Sequence, residues 1–178
     1  LPDTTLVRSC MGLAMTLVWS PALSQTSDEN HCMSPDPVVQ IKGCTTVIDS
    51  KTESSAGLAV AYSNRGNAYA RRGTYELALA DLTKAIALAP NDPENYNSRA
   101  WAYHLKGDDA KGLPDVQKAI AMRPGNGDTI ETRAEIYEKL GQRDKAVADY
   151  RATLKLSTSG SQAVRDAQAG LKRLREVE

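Results

Sequence analysis

Phenylalanine is absent from the 178 residues, and seven tyrosines and two tryptophans bring the aromatics to only 5%. That composition argues against a thick core built on large rings. A net charge of one sign is missing as well. Lys+Arg 22 balances Asp+Glu 22, so the chain as a whole has no basic field to hold nucleic acid by counterion release. Alternation of β-branched and aromatic residues is scarce after residue 50, which disfavours a β-sandwich. What remains is ordinary for a folded soluble chain: 41% hydrophobic and 25% charged residues, in a length suited to one domain, or one domain plus a tail. Ala78-Leu79-Ala80 and Ala85-Ile86-Ala87 point to close-packed helices with small residues between them.

Residues 6–19 are mostly apolar after one early basic residue, Arg8, and are followed by Pro21-Ala22-Leu23-Ser24-Gln25. This is the layout of a secretory signal peptide over 1–24, cut after Ser24. The run is too short and too interrupted to span a membrane, so no stable membrane span is expected in the mature chain. Such a cut removes Cys10 and leaves Cys32 and Cys44. In an oxidising compartment two surviving cysteines are expected to pair, and a loop of that size stabilises by about 3 kcal/mol on the chain-entropy model. The rival is a metal site on His31, Cys32 and Cys44. It supplies at most three ligands and lacks a Cys-x-x-Cys pair, so no metal is expected.

Self-comparison gives one strong period. Tyr62, Tyr96 and Ile130 are 34 apart, as are Tyr69, Tyr103 and Tyr137, then Gly73, Gly107 and Gly141, and also Asp81, Asp115 and Asp149. Gly66, Ala100 and Ala134 keep one small residue; Ala78, Gly112 and Ala146 keep another. Within a unit, Tyr62, Gly66 and Tyr69 share one helical face, and Gly66 admits a second helix at close range. Gly73 ends the first helix in the left-handed conformation. Ala78, Leu82, Ala85 and Ile86 stripe the second, and Pro90 stops it.

This series resembles the tetratricopeptide repeat over residues 59–158. The resemblance implies an all-α fold, a right-handed α-solenoid of antiparallel helix hairpins, with units at 59–92, 93–126 and 127–160. Residues 161–178, with Val164, Ala167, Leu171 and Leu174, read as an amphipathic capping helix, which a solenoid needs. Residues 37–58 read as a degenerate half-repeat, Pro37 to Asp49 being helical and 50–57 a loop. Its connection to Tyr62 is four residues longer than between true repeats. Polar residues 25–36 read as a mobile leader. Pro114, early in the second helix of its unit, predicts a late start or kink near 110–114.

Catalytic motifs are missing: there is no Gly-x-Ser-x-Gly elbow, no phosphate loop and no His-Glu-x-x-His, so an enzyme is not expected, nor a cofactor. Arg65, Arg99 and Arg133 are 34 apart, and each is followed sixteen residues later by Asp81, Asp115 or Asp149. The pairing predicts a structural Arg–Asp bridge between helices, within a unit or between neighbours, rather than an arginine ladder for an acidic ligand.

The resemblance further implies a groove, lined by the first helices, that binds a peptide segment of a partner protein. The expected lining is Ser63, Asn67, Ala70 and Arg71, then Glu94, Asn97, Trp101 and His104, then Asp128, Glu131, Glu135 and Glu138. The last four form a carboxylate stripe beside an indole. The lysine and arginine set by which some family members grip a C-terminal carboxylate is lacking, so the expected partner is a basic segment with an apolar residue. The expectation is thus a non-enzymatic scaffold, periplasmic or secreted at a bacterial envelope. A self-associating envelope protein and a regulatory subunit of an envelope enzyme are the alternatives.

Overall fold

The computed structural model of the protein describes residues 30–175, so the expected signal segment and its cut lie outside the described residues. These residues form eight long helices and no strand, arranged as successive antiparallel hairpins. Helix starts follow from short polar side chains that accept from otherwise unpaired backbone N–H groups. Asp36 Oδ1 takes the N–H of Val38 and Val39 at the start of α1 (Pro37–Ser50). Ser54 Oγ takes that of Gly57 at the start of α2 (Ser55–Arg71). Asp92 does the same for α4 (Pro93–Lys106), with Pro93 in the first turn where its missing donor costs nothing. Asn126 caps α6 (Gly127–Lys139). The hairpins turn at Gly73, Gly107 and Gly141, with φ of 76°, 86° and 70°, a region that a Cβ disfavours. They lead into α3 (Tyr75–Leu88), α5 (Asp109–Met122) and α7 (Arg143–Leu156).

Three local expectations are corrected. Pro114 does not delay its helix: α5 begins at Asp109, 34 residues after Tyr75, because the Asp108 carbonyl accepts from both Lys111 and Gly112. The bond Pro114 cannot donate would have ended on Ala110, an exposed residue whose carbonyl solvent can serve. The loop expected over 50–57 is shorter, since α2 starts at Ser55. The leader is packed where it is described. Residues 30–32 make a helical turn, Cys32 is 4% exposed, and a Cys32–Cys44 disulfide ties that turn to α1. Gly43 makes this possible, because a Cβ there would lie 2.5 Å from the Cβ of His31.

Small residues set the packing. A Cβ on Gly66 would meet Leu82 Cγ at 2.8 Å, and one on Gly112 would meet the Ala100 carbonyl at 2.9 Å. Ala70, Ala78, Leu82 and Ala102 form one buried cluster, and Ala100, Val116 and Ile136 the next. The last cluster joins Tyr137 and Tyr150 to Ala167 of α8 (Gln162–Arg175), with Leu171 and Leu174 packed against it. Gly170 lies flat on the Tyr150 ring, where a Cβ would approach to 2.4 Å.

Tyr69 and Tyr103, at equivalent positions of successive repeats, are only half-buried, whereas Tyr150 is fully enclosed. Tyr150→Ala is expected to cost about 3–5 kcal/mol by leaving a cavity, and Tyr69→Ala distinctly less. Gly170→Val should cost about 1–3 kcal/mol by overpacking. Chemical denaturation of the three variants checks the order.

Candidate functional site

The first helices of the hairpins lie side by side: α2 touches α4, α4 touches α6, and α6 touches α8. On their shared face is a cavity of about 520 Å³. Asn67 and Arg71 reach it from α2, and Asn97, Ser98 and Trp101 from α4. Asp128, Glu131 and Thr132 come from α6, and Gln162, Ala163 and Asp166 from α8, with Ser161 at its start. Asn67 Nδ2 donates to Ser98 Oγ at 3.1 Å, closing one side. Arg71, exposed on the rim, donates to Gln40 Oε1 on α1 at 2.5 Å.

Ser98, Thr132 and Asp166 are residues that sequence reasoning missed. They continue the 34-residue period, and carrying that period past residue 160 would have placed Asp166 on the lining. The last helix therefore both covers the core beneath it and builds a wall of the groove.

Other expected lining residues lie elsewhere. Ala70 is 2% exposed in the core, as its small side chain and neighbours Ala78 and Ala102 require. Glu94 is drawn to the α5–α6 connection, where it accepts from Arg123 at 2.5 Å and Asn126 at 3.2 Å. Glu138 is not part of an open acidic stripe. It accepts from Arg173 of α8 through both oxygens at 2.9 Å, and from Tyr150 Oη at 2.6 Å. Burial raises the Glu138 carboxyl, but these donors outweigh it and hold the group below its ordinary value. His104 and Glu135 line a second cavity of about 440 Å³ together with Glu138 and Arg173. There His104 Nδ1 is 2.6 Å from Asp109 and Nε2 is 3.6 Å from Glu135.

The three arginine–aspartate pairs all lie within a hairpin. Each Nε–Oδ2 distance is 2.6–2.7 Å and each second contact 2.9–3.1 Å, the bidentate geometry of guanidinium on carboxylate. Arg65 and Arg99 also donate to a threonine of the preceding helix, Thr45 at 3.0 Å and Thr83 at 3.3 Å. With every fork occupied by its aspartate, these arginines are not a ladder for an acidic ligand.

Within the first cavity Glu131 is in an uncommon state. It is 9% exposed, and its Oε1 has no hydrogen-bond partner. Burial, then the charges of Glu135 and Asp166, push its carboxyl up to about 9.

Three models described as tetratricopeptide repeat match residues 59–92, 82–113 and 129–159. Over those segments the chain matches the tetratricopeptide repeat. No curated protein matches it. Among solved structures it is similar to the tetratricopeptide domain of Arabidopsis OM64, at 24% identity and a TM-score of 0.63, over 70% of this chain and 100% of that one. It is similar also to TTC0263, a thermophilic tetratricopeptide protein of Thermus thermophilus, at 19% identity and a TM-score of 0.66, over 86% of this chain and 82% of that one. The first tetratricopeptide domain of Spaghetti (RPAP3), bound to the HSP90 peptide SRMEEVD, matches at 23% identity and a TM-score of 0.59, over 67% of this chain and 95% of that one. At these identities the likeness concerns the repeat fold. The second matched segment joins α3 to α4, and residues 114–128 fall in none of the three.

The Glu131 carboxyl fixes a pH dependence. Its folded pKa lies above the unfolded value of about 4.3, so between the two the folded chain holds a proton that the unfolded chain has released. Stability should therefore fall as pH rises from about 5 to 9, by at most about 1.4 kcal/mol per unit for this one proton. Glu131→Gln, which keeps the shape of the protonated acid, should flatten that slope and raise the melting temperature at pH 8. Thermal melts at pH 6 and 8 check it.

Proposed function

We propose that the protein is a non-enzymatic interaction scaffold that takes a peptide segment of a partner protein into the groove among α2, α4, α6 and α8. The observation that carries this reading is the cavity itself. It lies on the face shared by the first helices of tetratricopeptide hairpins, and it combines an indole, amides and carboxylates drawn from four helices. Such a mixture fits a ligand with both apolar and polar parts. Solved neighbours of the same fold are described with HSP90 and HSP70 peptides bound, which supports a peptide as the ligand class.

The acidic lining favours a basic segment with an apolar residue for Trp101. The apolar run over 6–19, the small residues before a cut after Ser24 and the Cys32–Cys44 pair support a chain exported to a bacterial envelope, periplasmic or secreted, with a mature start at Gln25. The self-associating alternative is the weaker reading, because Leu171 and Leu174, which it would need for an end-to-end contact, are half-buried against the Tyr137–Tyr150 cluster.

Capture from envelope extract, with the mature chain as bait, tests the reading. Trp101→Ala and Asp128→Lys are each expected to weaken the captured partner's binding at least tenfold without changing the helical circular dichroism. Added salt should weaken the wild-type complex, as it does exposed charge pairing. Binding indifferent to both substitutions would move the site to another face. The export reading is checked by intact mass: mature material should begin at Gln25 and gain two hydrogens on reduction.

A further inference from the structure

The groove holds hydrogen-bond acceptors that the protein does not satisfy. Glu131, nine-tenths buried, lines the cavity with Oε1 unpartnered, and Asn97, which lines the same space from α4, has its Oδ1 buried without a donor. Buried acceptors without donors are costly. Asp128 stands one helical turn before Glu131, and Asp166 faces them from α8. The Asp166 carboxylate accepts only from Gln162 of its own helix among the hydrogen bonds described, at 2.8 and 2.9 Å. The cation on the rim, Arg71, is engaged by Gln40. Donors are therefore what a ligand must bring.

We infer that this cavity is a subsite for a single arginine side chain of the bound segment, its guanidinium lying on Trp101 and donating to Glu131, Asn97 and Asp166. This rests on the groove being the peptide site and adds the chemistry of the residue it reads. Two features select arginine over lysine. A planar guanidinium offers five donors in a fixed fork, enough for acceptors coming from three helices, and it stacks on an aromatic face more readily than an ammonium does. A metal ion is the poorer occupant, since no group of three or more His, Cys, Asp or Glu among the described residues is arranged to hold one.

Proton linkage gives the subsite a signature. The groups facing Glu131 are Arg71 from α2, Asn97 and Trp101 from α4, Asp128 and Glu135 from α6, and Asp166 from α8, with His104 reaching Glu135 from behind. A cation placed on Oε1 favours the ionised carboxyl, so binding expels the Glu131 proton to solvent. Affinity must then rise with pH up to about 9, by as much as tenfold per unit. Ordinary surface carboxylates, ionised throughout that range, give no such rise.

The test is a nuclear magnetic resonance titration of the ¹⁵N-labelled full chain with N-acetyl-arginine N-methylamide, following the indole N–H of Trp101, identified by its loss in Trp101→Phe. Saturable shifts of that signal are expected, at least threefold weaker with the lysine analogue and absent with the neutral citrulline analogue. The wild-type affinity should climb between pH 6 and pH 8. Glu131→Gln should bind at least tenfold more weakly at pH 8 and lose the pH slope, while His104→Gln should keep it. Equal response to arginine and citrulline, or a flat pH profile in the wild type, overturns the inference, and the wild-type profile needs no variant to fold. Failure of the probe with a partner that still requires Trp101 leaves the scaffold reading standing and removes only the arginine. Binding of the probe with a partner indifferent to Trp101 and Asp128 does the reverse.

Discussion

The two helices of each hairpin meet through alanine and glycine, and the distance this allows governs the remaining geometry. Gly66 cannot carry a Cβ without striking Leu82, nor Gly112 without striking the Ala100 carbonyl. At that separation an arginine on the first helix reaches an aspartate sixteen residues later on the second with both nitrogens of its fork. A wider spacing would strand one partner. Removing one member of such a half-buried pair leaves the other desolvated and unmatched, which costs far more than the pair contributes. Close approach and charge pairing thus fix each other.

The same spacing, propagated at 34 residues, brings side chains from four first helices to one cavity. Only the third of these helices carries a run of carboxylates, and its three glutamates meet three different environments. Glu131 is enclosed beside other acids and holds its proton. Glu135 is also pushed up by burial, while His104 draws it back down. Glu138 is clamped by Arg173 and Tyr150 and stays ionised. Residues at a helical spacing of three and four share a face, yet the neighbours, not the spacing, decide their charge.

Much of the repeat fold is legible in the sequence because its signals are local or periodic. Gly73, Gly107 and Gly141 mark turns, Asp92 and Pro93 mark a start, and recurring Arg and Asp at a constant offset mark a contact. The failures are of two kinds. The intrinsic cost of Pro114 predicts a late start, whereas the helix begins at Asp109 and packs Gly112 closely on Ala100. Helical position alone assigns Glu94, Ala70 and Glu138 to the groove. Their true partners, Arg123 and Asn126 in the α5–α6 connection, Ala78 and Ala102, and Arg173, lie on other elements, which periodicity within one helix cannot report. Asp166 escapes notice because residues 161–178 read as a cap and not as a further turn of the same repeat.

The two ends of the array are secured by different kinds of force. At one end a covalent bond joins the turn carrying Cys32 to α1; at the other, α8 is held by small apolar contacts and by the exposed side of the Arg173–Glu138 pair. A one-dimensional stack loses structure from its weaker terminus inward. The end without a covalent tie is also the one that borders the cavity. Because α8 supplies one wall of the cavity, its opening releases whatever the cavity holds before any other hairpin is disturbed. Closure of the cavity and the order of the last helix thus become a single equilibrium.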